Sequence, residues 1–225
     1  MRCLDEMRGA SVAGGECCSV FDVGCGNLRF ESFLASACPE RAWTFYAVDN
    51  CESLVPSAAW AGRGAALKYQ TFDVMDALLR GENLHEALRV PLCDVAVAFG
   101  FLHHVPLAEH RLAVLSALID QVRPGGLVMV SLWQFMRDAH LAEKARSTHL
   151  RALDELGLDS EEFEEGDYLL GWQNTPDAYR FCHSFSDTEV DYLVAAVAGR
   201  ASLVARFVAD GKSDNLNTYL VLQVA

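Results

Sequence analysis

The chain has 225 residues, 52% of them hydrophobic and 22% charged, enough apolar material for one domain with a substantial buried core. Eighteen basic residues against 31 acidic ones leave a net charge of −13, which repels a phosphate backbone and argues against unaided nucleic-acid binding. No apolar run is long enough to span a bilayer, and the first residues lack the apolar segment of a signal peptide. The eight cysteines contain no CxxC pair, and several lie inside apolar runs. They read as reduced thiols of a cytoplasmic protein, not as disulfides or a metal site.

Residues 19–23 form a short apolar run ending at glycine, and helical periodicity follows over 28–37. A second strand is expected at 43–48, a short helix at 53–61, a third strand at 67–72 and a helix over 75–87. The run DVAVAF at 94–99 is apolar throughout, as expected for a strand buried on both faces. A helix at 107–122 is stopped by Arg123-Pro124-Gly125-Gly126 before a fifth strand at 127–132. Residues 134–177 are polar and interrupt the alternation; between 152 and 167 they hold eight carboxylates and no basic residue. Ser186 opens another helix, with Asp187 and Glu189 in its first turn. Strands at 202–208 and 218–224 end the chain. The expectation is one α/β domain over 1–225, a Rossmann-like parallel sheet with 134–177 as a largely helical cap inserted after strand five.

Chemistry concentrates where the strands end. Phe21-Asp22-Val23-Gly24-Cys25-Gly26-Asn27 lies at the first strand-to-helix turn, where glycines let the backbone approach a ligand over the helix N-terminus. An ordinary tight turn is the alternative. Asp49 ends the second strand, where a carboxylate can accept both hydroxyls of a ribose, and Asp73 follows the third, where it can take an adenine amine. Each aspartate alone also reads as a helix cap. Three such features on successive strands point to an adenosine-containing ligand. A dinucleotide fits poorly, because Arg29 stands where its fingerprint needs a third glycine.

The stretches DVGCGN, AVDN, FDV, CDVAVAFGFLHHVP and VRPGGLVMVSLW, in this order, resemble class I S-adenosylmethionine-dependent methyltransferases. The resemblance covers residues 19–132 and the terminal strand pair, and implies a seven-stranded sheet with the last strand antiparallel. It implies that Asp22, Gly24, Cys25, Gly26 and Asn27 hold the methionine part of the cofactor. Asp49 and Asn50 then take the ribose, Asp73 and Val74 the adenine, and Phe99 and Gly100 lie near the sulfonium. Two departures stand out. Leu28 replaces a glycine usual in the family and is expected to narrow the methionine end of the pocket without closing it. Only eighteen residues precede the first strand, so the family's cofactor lid is expected to be short, missing or supplied by the insert.

Methyl transfer needs an aligned acceptor, exclusion of water, and a base if the acceptor carries a proton. His104, after strand four, either acts as that base or braces the loop, and His103 beside it lines the acceptor side or is structural. Trp133 and Trp172 either stack a flat substrate or fill the core of the cap. Tyr179-Arg180-Phe181-Cys182-His183 carries the most specific substrate signal. Together with the paired histidines and the DNLNTYLVL ending, it resembles the methyltransferases that esterify the carboxymethyl group of wobble uridine in tRNA. That resemblance implies catalytic roles for Arg180, His183 and His104, with Arg180 orienting a carboxylate. The alternatives are an Arg180 paired with the acidic cap and a His183 that caps a helix. With no basic run, tRNA binding implies a basic partner subunit; a small-molecule acceptor, or a non-catalytic binding protein on the same fold, remains the other expectation.

Overall fold

The computed structural model describes residues 17–54, 65–172, 175–212 and 214–225. The expectations about the lid, Cys3 and most of the helix at 53–61 lie outside these residues. Strands β1 (Cys17–Val23), β2 (Ala42–Asp49), β3 (Ala65–Thr71), β4 (Cys93–Ala98), β5 (Val122–Trp133), β8 (Ala201–Ala209) and β9 (Asn217–Val224) form one sheet in the order β3-β2-β1-β4-β5-β9-β8. The first five pair in parallel, and β9 runs antiparallel to both β5 and β8. Strand order reverses between β1 and β4, which opens a crevice at their carboxyl ends, where ligands bind in open α/β sheets.

The helices are α1 (Arg29–Ala37), α2 (Val74–Leu79), α3 (Leu84–Ala87), α4 (Ala108–Asp120), α5 (Ala139–Leu156) and α6 (Asp187–Val197). Helices α4 and α6 cover one face through Val114, Leu115, Leu118, Val190 and Leu193; α1 seats Leu34 on the other, against Phe45, Val95 and Met129. Both faces of the sheet centre are thus apolar, which is why β4 reads as an unbroken hydrophobic run. The helix expected over 75–87 is two helices. Gly81 adopts φ +69, a left-handed backbone that ends the first, and the Asn83 side chain accepts from His85 N at 3.0 Å to start the second. Strand β5 also starts earlier than expected: 123–126 lie within it, with a register shift opposite β4 between Cys93 and Val95.

Beyond β5 the chain forms the insert. It holds α5 and a two-stranded hairpin, β6 (Asp167–Gly171) with β7 (Tyr179–His183), which the polar sequence did not announce. Phe185 N donates to Trp133 O at 2.9 Å, returning the chain to the end of β5 before α6 begins. Ser186 and Glu189 cap α6 reciprocally, as the sequence around Ser186 leads one to expect.

Candidate active site

The loop after β1 makes two left-handed turns, at Gly24 (φ +75) and Gly26 (φ +52). Leu28 follows with φ 59 and ψ 37, the conformation for which glycine is the usual choice. Its side chain is fully buried against Cys25 and Ala47, with Leu67 and Tyr69 packed beside them. The hollow at the loop is lined by Gly24, Val48, Asp49, Asn50, Asp73 and Phe101 among others, and Leu28 is not one of them. Leu28, expected to narrow the methionine end of the pocket without closing it, has its side chain in the core beside Cys25 and Ala47, away from this hollow.

Asp49 braces the loop. Its Oδ2 accepts from Gly26 N and its Oδ1 from Cys51 N, both at 2.9 Å, leaving each oxygen a second lone pair for a ligand hydroxyl. Asp73 caps α2 by accepting from Asp76 N at 3.0 Å, as its helix-cap reading has it, and its Oδ2 accepts from Asn50 at 3.0 Å. These bonds hold its carboxyl below the usual carboxylate range. Val74 also lines the hollow, so the expected ribose and adenine residues converge. Gly100 has φ +71 and open space where a Cβ would stand, and its N–H donates to Ser131 Oγ at 2.8 Å.

Two expected residues lie elsewhere. The Phe99 ring packs edge-on against Phe30 at 4.9 Å and near Tyr219 at 5.8 Å, so its side chain faces α1. Cys25 is buried with Leu28, where burial pushes its thiol up. Asn27 is exposed on the loop. Phe101 was not singled out by the sequence, yet its side chain covers Gly24 so closely that a Cβ there would lie 2.5 Å from Cδ2. Phe101 thus walls the hollow on its Gly24 side.

The acceptor-side residues cluster where β4, β5 and β7 meet. Along β7 successive side chains alternate, so Arg180 and Cys182 face the sheet edge while His183 faces away. The Arg180 guanidinium lies 4.9 Å from the Trp172 ring centre and 6.0 Å from that of Trp133. The His103 ring centre lies 4.1 Å from that of His104, the rings tilted, and 5.1 Å from that of Trp133, edge-on. Trp172 is 44% exposed, so it does not fill a cap core. His104 Nδ1 is 3.0 Å from Phe181 O; a carbonyl only accepts, so Nδ1 carries the proton and Nε2 keeps its lone pair. Burial, His104 and Arg180 push His103 well below its ordinary range, and burial pushes His104 down as well. Both rings are neutral near pH 7, and Arg180 is the charged group beside them. The donor atoms of His103, His104 and Cys182 lie within 4.8 Å of one another, a spacing a metal ion can use. Arg180 gives the cluster a positive field, however, and it suits an anion better than a cation. Nδ1 of His103 and Nε of Arg180 are buried without a hydrogen-bond partner.

His183 does not join this group. It is fully buried, bonded to Asp167 Oδ1 at 2.6 Å through Nδ1 and to Glu189 Oε1 at 2.7 Å through Nε2. Arg111, also buried, lies 3.4 Å from Glu189 and 3.6 Å from Glu164. With both ring nitrogens engaged, His183 pins the hairpin to α6, close to its helix-capping reading and unlike the catalytic role that the resemblance implied.

A family profile described as a methyltransferase domain matches residues 5–193, most of the chain. The chain belongs to this family. Its fold is also that of solved methyltransferases of low sequence identity. A SAM-dependent methyltransferase from Methanosarcina mazei has TM-score 0.62, 18% identity and 93% coverage of both chains. One from Clostridium acetobutylicum has TM-score 0.61 and 8% identity, covering 99% of this chain and 89% of the other. The N-methyltransferase NodS from Bradyrhizobium japonicum, solved with S-adenosyl-L-homocysteine, has TM-score 0.52 and 11% identity, covering 99% and 86%. Among curated proteins, tRNA (carboxymethyluridine(34)-5-O)-methyltransferase ALKBH8 of Macaca fascicularis is 30% identical over 70 residues. That match takes in 29% of this chain and 10% of the relative. No helix among the described residues is long and apolar enough to cross a membrane.

Proposed function

We propose that this methyltransferase moves a methyl group from S-adenosylmethionine to a carboxylate on its acceptor, and that residues 1–225 act as one unit with 134–177 as the cap over the acceptor. Asp49, Asn50, Asp73, Gly24, Gly26 and Gly100 are the residues that would hold the cofactor. Their fit rests on the open Cβ positions at Gly26 and Gly100 and on the free lone pairs of Asp49. When bound, the cofactor supplies a methyl group activated by a sulfonium. The observation that carries the acceptor class is Arg180, a guanidinium lying over Trp133 and Trp172, with an unpartnered Nε and only neutral histidines beside it. A carboxylate needs orientation but no deprotonation, which suits a fork of N–H donors.

A carboxymethyl-modified uridine is the acceptor this reading favours. The short match to a tRNA carboxymethyluridine methyltransferase supports it, and the net charge of −13 means that a basic partner subunit would carry the tRNA contact. The free Nε2 of His104 favours a second reading, a small-molecule O- or N-methyltransferase in which that nitrogen takes the acceptor's proton. Isothermal titration with S-adenosylhomocysteine tests the cofactor site, and salt-dependent binding of tRNA in the presence of a candidate basic partner separates the two acceptors. Saturable cofactor binding together with tRNA binding that weakens as salt rises supports the first reading.

A further inference from the structure

The acidic stretch of the insert has no part in the site described so far. Its segment before β6 forms one wall of a groove of about 870 Å³, with α5, the chain leaving β5 and the first turn of α6 forming the others. Met136 and Tyr168, both half-buried, and the buried Phe185 give the groove apolar surface. Its charges do not balance. Arg137 pairs with Asp187 at 2.5 Å, and Arg111 is shared between Glu189 at 3.4 Å and Glu164 at 3.6 Å. Glu165 in the wall, and Asp159, Glu161 and Glu162 just ahead of it, are exposed and make no ion pair with any described residue. Against these carboxylates the lining offers one unpaired cation among the described residues, Arg146 of α5.

We infer, on the tRNA reading proposed above, that this groove docks the basic partner subunit through a segment that sets lysine or arginine side chains beside apolar ones. A net charge of −13 leaves the phosphate contact to that partner. Apolar side chains of the segment cover Met136 and Tyr168, and its cations answer the carboxylates of 159–165, a complementarity that fixes register and speeds encounter. Those carboxylates repel a nucleic acid, and a small cation leaves the apolar side chains uncovered. The place also fits the task. Ser184 Oγ accepts from Met136 N at 3.1 Å and Phe185 N donates to Trp133 O at 2.9 Å, so the chain that leaves β7 backs the groove. Arg180 lies on β7 and Trp133 at the end of β5. A docked segment therefore braces both and brings the partner's basic surface beside the acceptor.

The probe is a short fluorescent peptide of lysine and leucine at helical spacing, followed by anisotropy at about 0.15 M salt, where exposed charges more than about 8 Å apart are screened. It should bind wild-type protein saturably, and a peptide with serine in place of leucine should bind roughly tenfold more weakly. Glu162→Lys with Glu165→Lys should weaken binding roughly tenfold. Glu40→Lys with Glu86→Lys, the same change of net charge on exposed acids outside the groove, should alter it less than about threefold. Melting temperatures check that both variants fold. A benzophenone on the peptide needs only the wild-type protein, and its crosslinks should fall on groove residues such as Met136. No saturable binding, equal weakening in the two variants, equal affinity of the two peptides, or crosslinks elsewhere overturns the inference. Docking of the peptide without methylation of tRNA in the presence of a basic partner removes the tRNA reading and leaves the groove; methylation of tRNA without docking does the reverse.

Discussion

Nδ1 of His104 lies 3.0 Å from the carbonyl oxygen of Phe181, so the loop that leaves β4 is bonded to the strand that carries Arg180. With the Cys182 Sγ contact to the same nitrogen at 3.8 Å, this bond joins the loop after β4 to the inserted hairpin. It fixes the histidine tautomer, with Nδ1 carrying the proton. The contact of Arg180 with Trp133 therefore needs the insert to be docked, not merely present.

Arg180 is expected to decide the acceptor. Arg180→Lys keeps the charge but loses the planar fork and much of the stacking on Trp172, so turnover should fall while S-adenosylhomocysteine affinity holds. Arg180→Ala should lose more turnover, and neither variant should unfold. If both change the melting temperature and leave turnover intact, Arg180 is a structural partner of the cap and the carboxylate reading fails.

Asp49→Ala should weaken cofactor binding by about 2 kcal/mol, the scale for bonds between a carboxylate and two hydroxyls. Part of that loss comes from the loop, since Gly26 N and Cys51 N lose their acceptor. Calorimetry on Asp49→Asn, which keeps one acceptor oxygen, should fall between the two. Unchanged affinity in the alanine variant would remove Asp49 from the site.

Leu28→Gly has two opposing effects. Glycine relieves an αL conformation worth about 1–2 kcal/mol, while removing a fully buried leucine costs about 2–5 kcal/mol. The variant should be less stable by about 1–3 kcal/mol in urea denaturation, with cofactor affinity unchanged because the side chain does not line the hollow. A glycine variant that binds where wild type does not would mean that Leu28 blocks the pocket.

The His183 network should give stability a pH optimum. Burial opposes the charge on His183, but its bonds to Asp167 and Glu189 outweigh that and raise it above the ordinary 6.5. Burial likewise works to raise Glu189, yet the bonds from His183 and Ser186 bring it down to about 2 from an ordinary 4.5. A raised histidine contributes in full below 6.5, and its share is lost as pH climbs through the folded value; a lowered glutamate contributes above 4.5, and its share is lost as pH falls toward 2. Both act together between 4.5 and 6.5. Denaturation midpoints of wild type against His183→Gln should therefore differ most in that window. A difference that grows steadily up to pH 9 would contradict the network.

The sequence makes most of the sheet legible, because β4 and the second half of β5 are buried on both faces and spell long apolar runs, while β1 and β2 are mostly apolar. Asp49 and Asp73 are legible too, since each directly follows such a run. The hairpin is not, because β6 and β7 pack on α5 and carry mixed polar residues such as Asp167 and His183. Nor is the orientation of Arg180 against His183: three residues apart, they take opposite faces only because the segment is a strand. Phe101 over Gly24 is a through-space contact between residues far apart in the chain, and no local pattern encodes it.

Transfer of a methyl group to a carboxylate is revealed by the bond it forms. Wild-type protein is incubated with S-adenosylmethionine carrying a labelled methyl group and with tRNA bearing 5-carboxymethyluridine, in the presence of a candidate basic partner; mild alkali is then applied. A methyl ester releases its label as volatile methanol, and Arg180→Ala should form none. Label that survives alkali on a ring nitrogen or ether oxygen, or no transfer while S-adenosylhomocysteine still binds, would contradict the account.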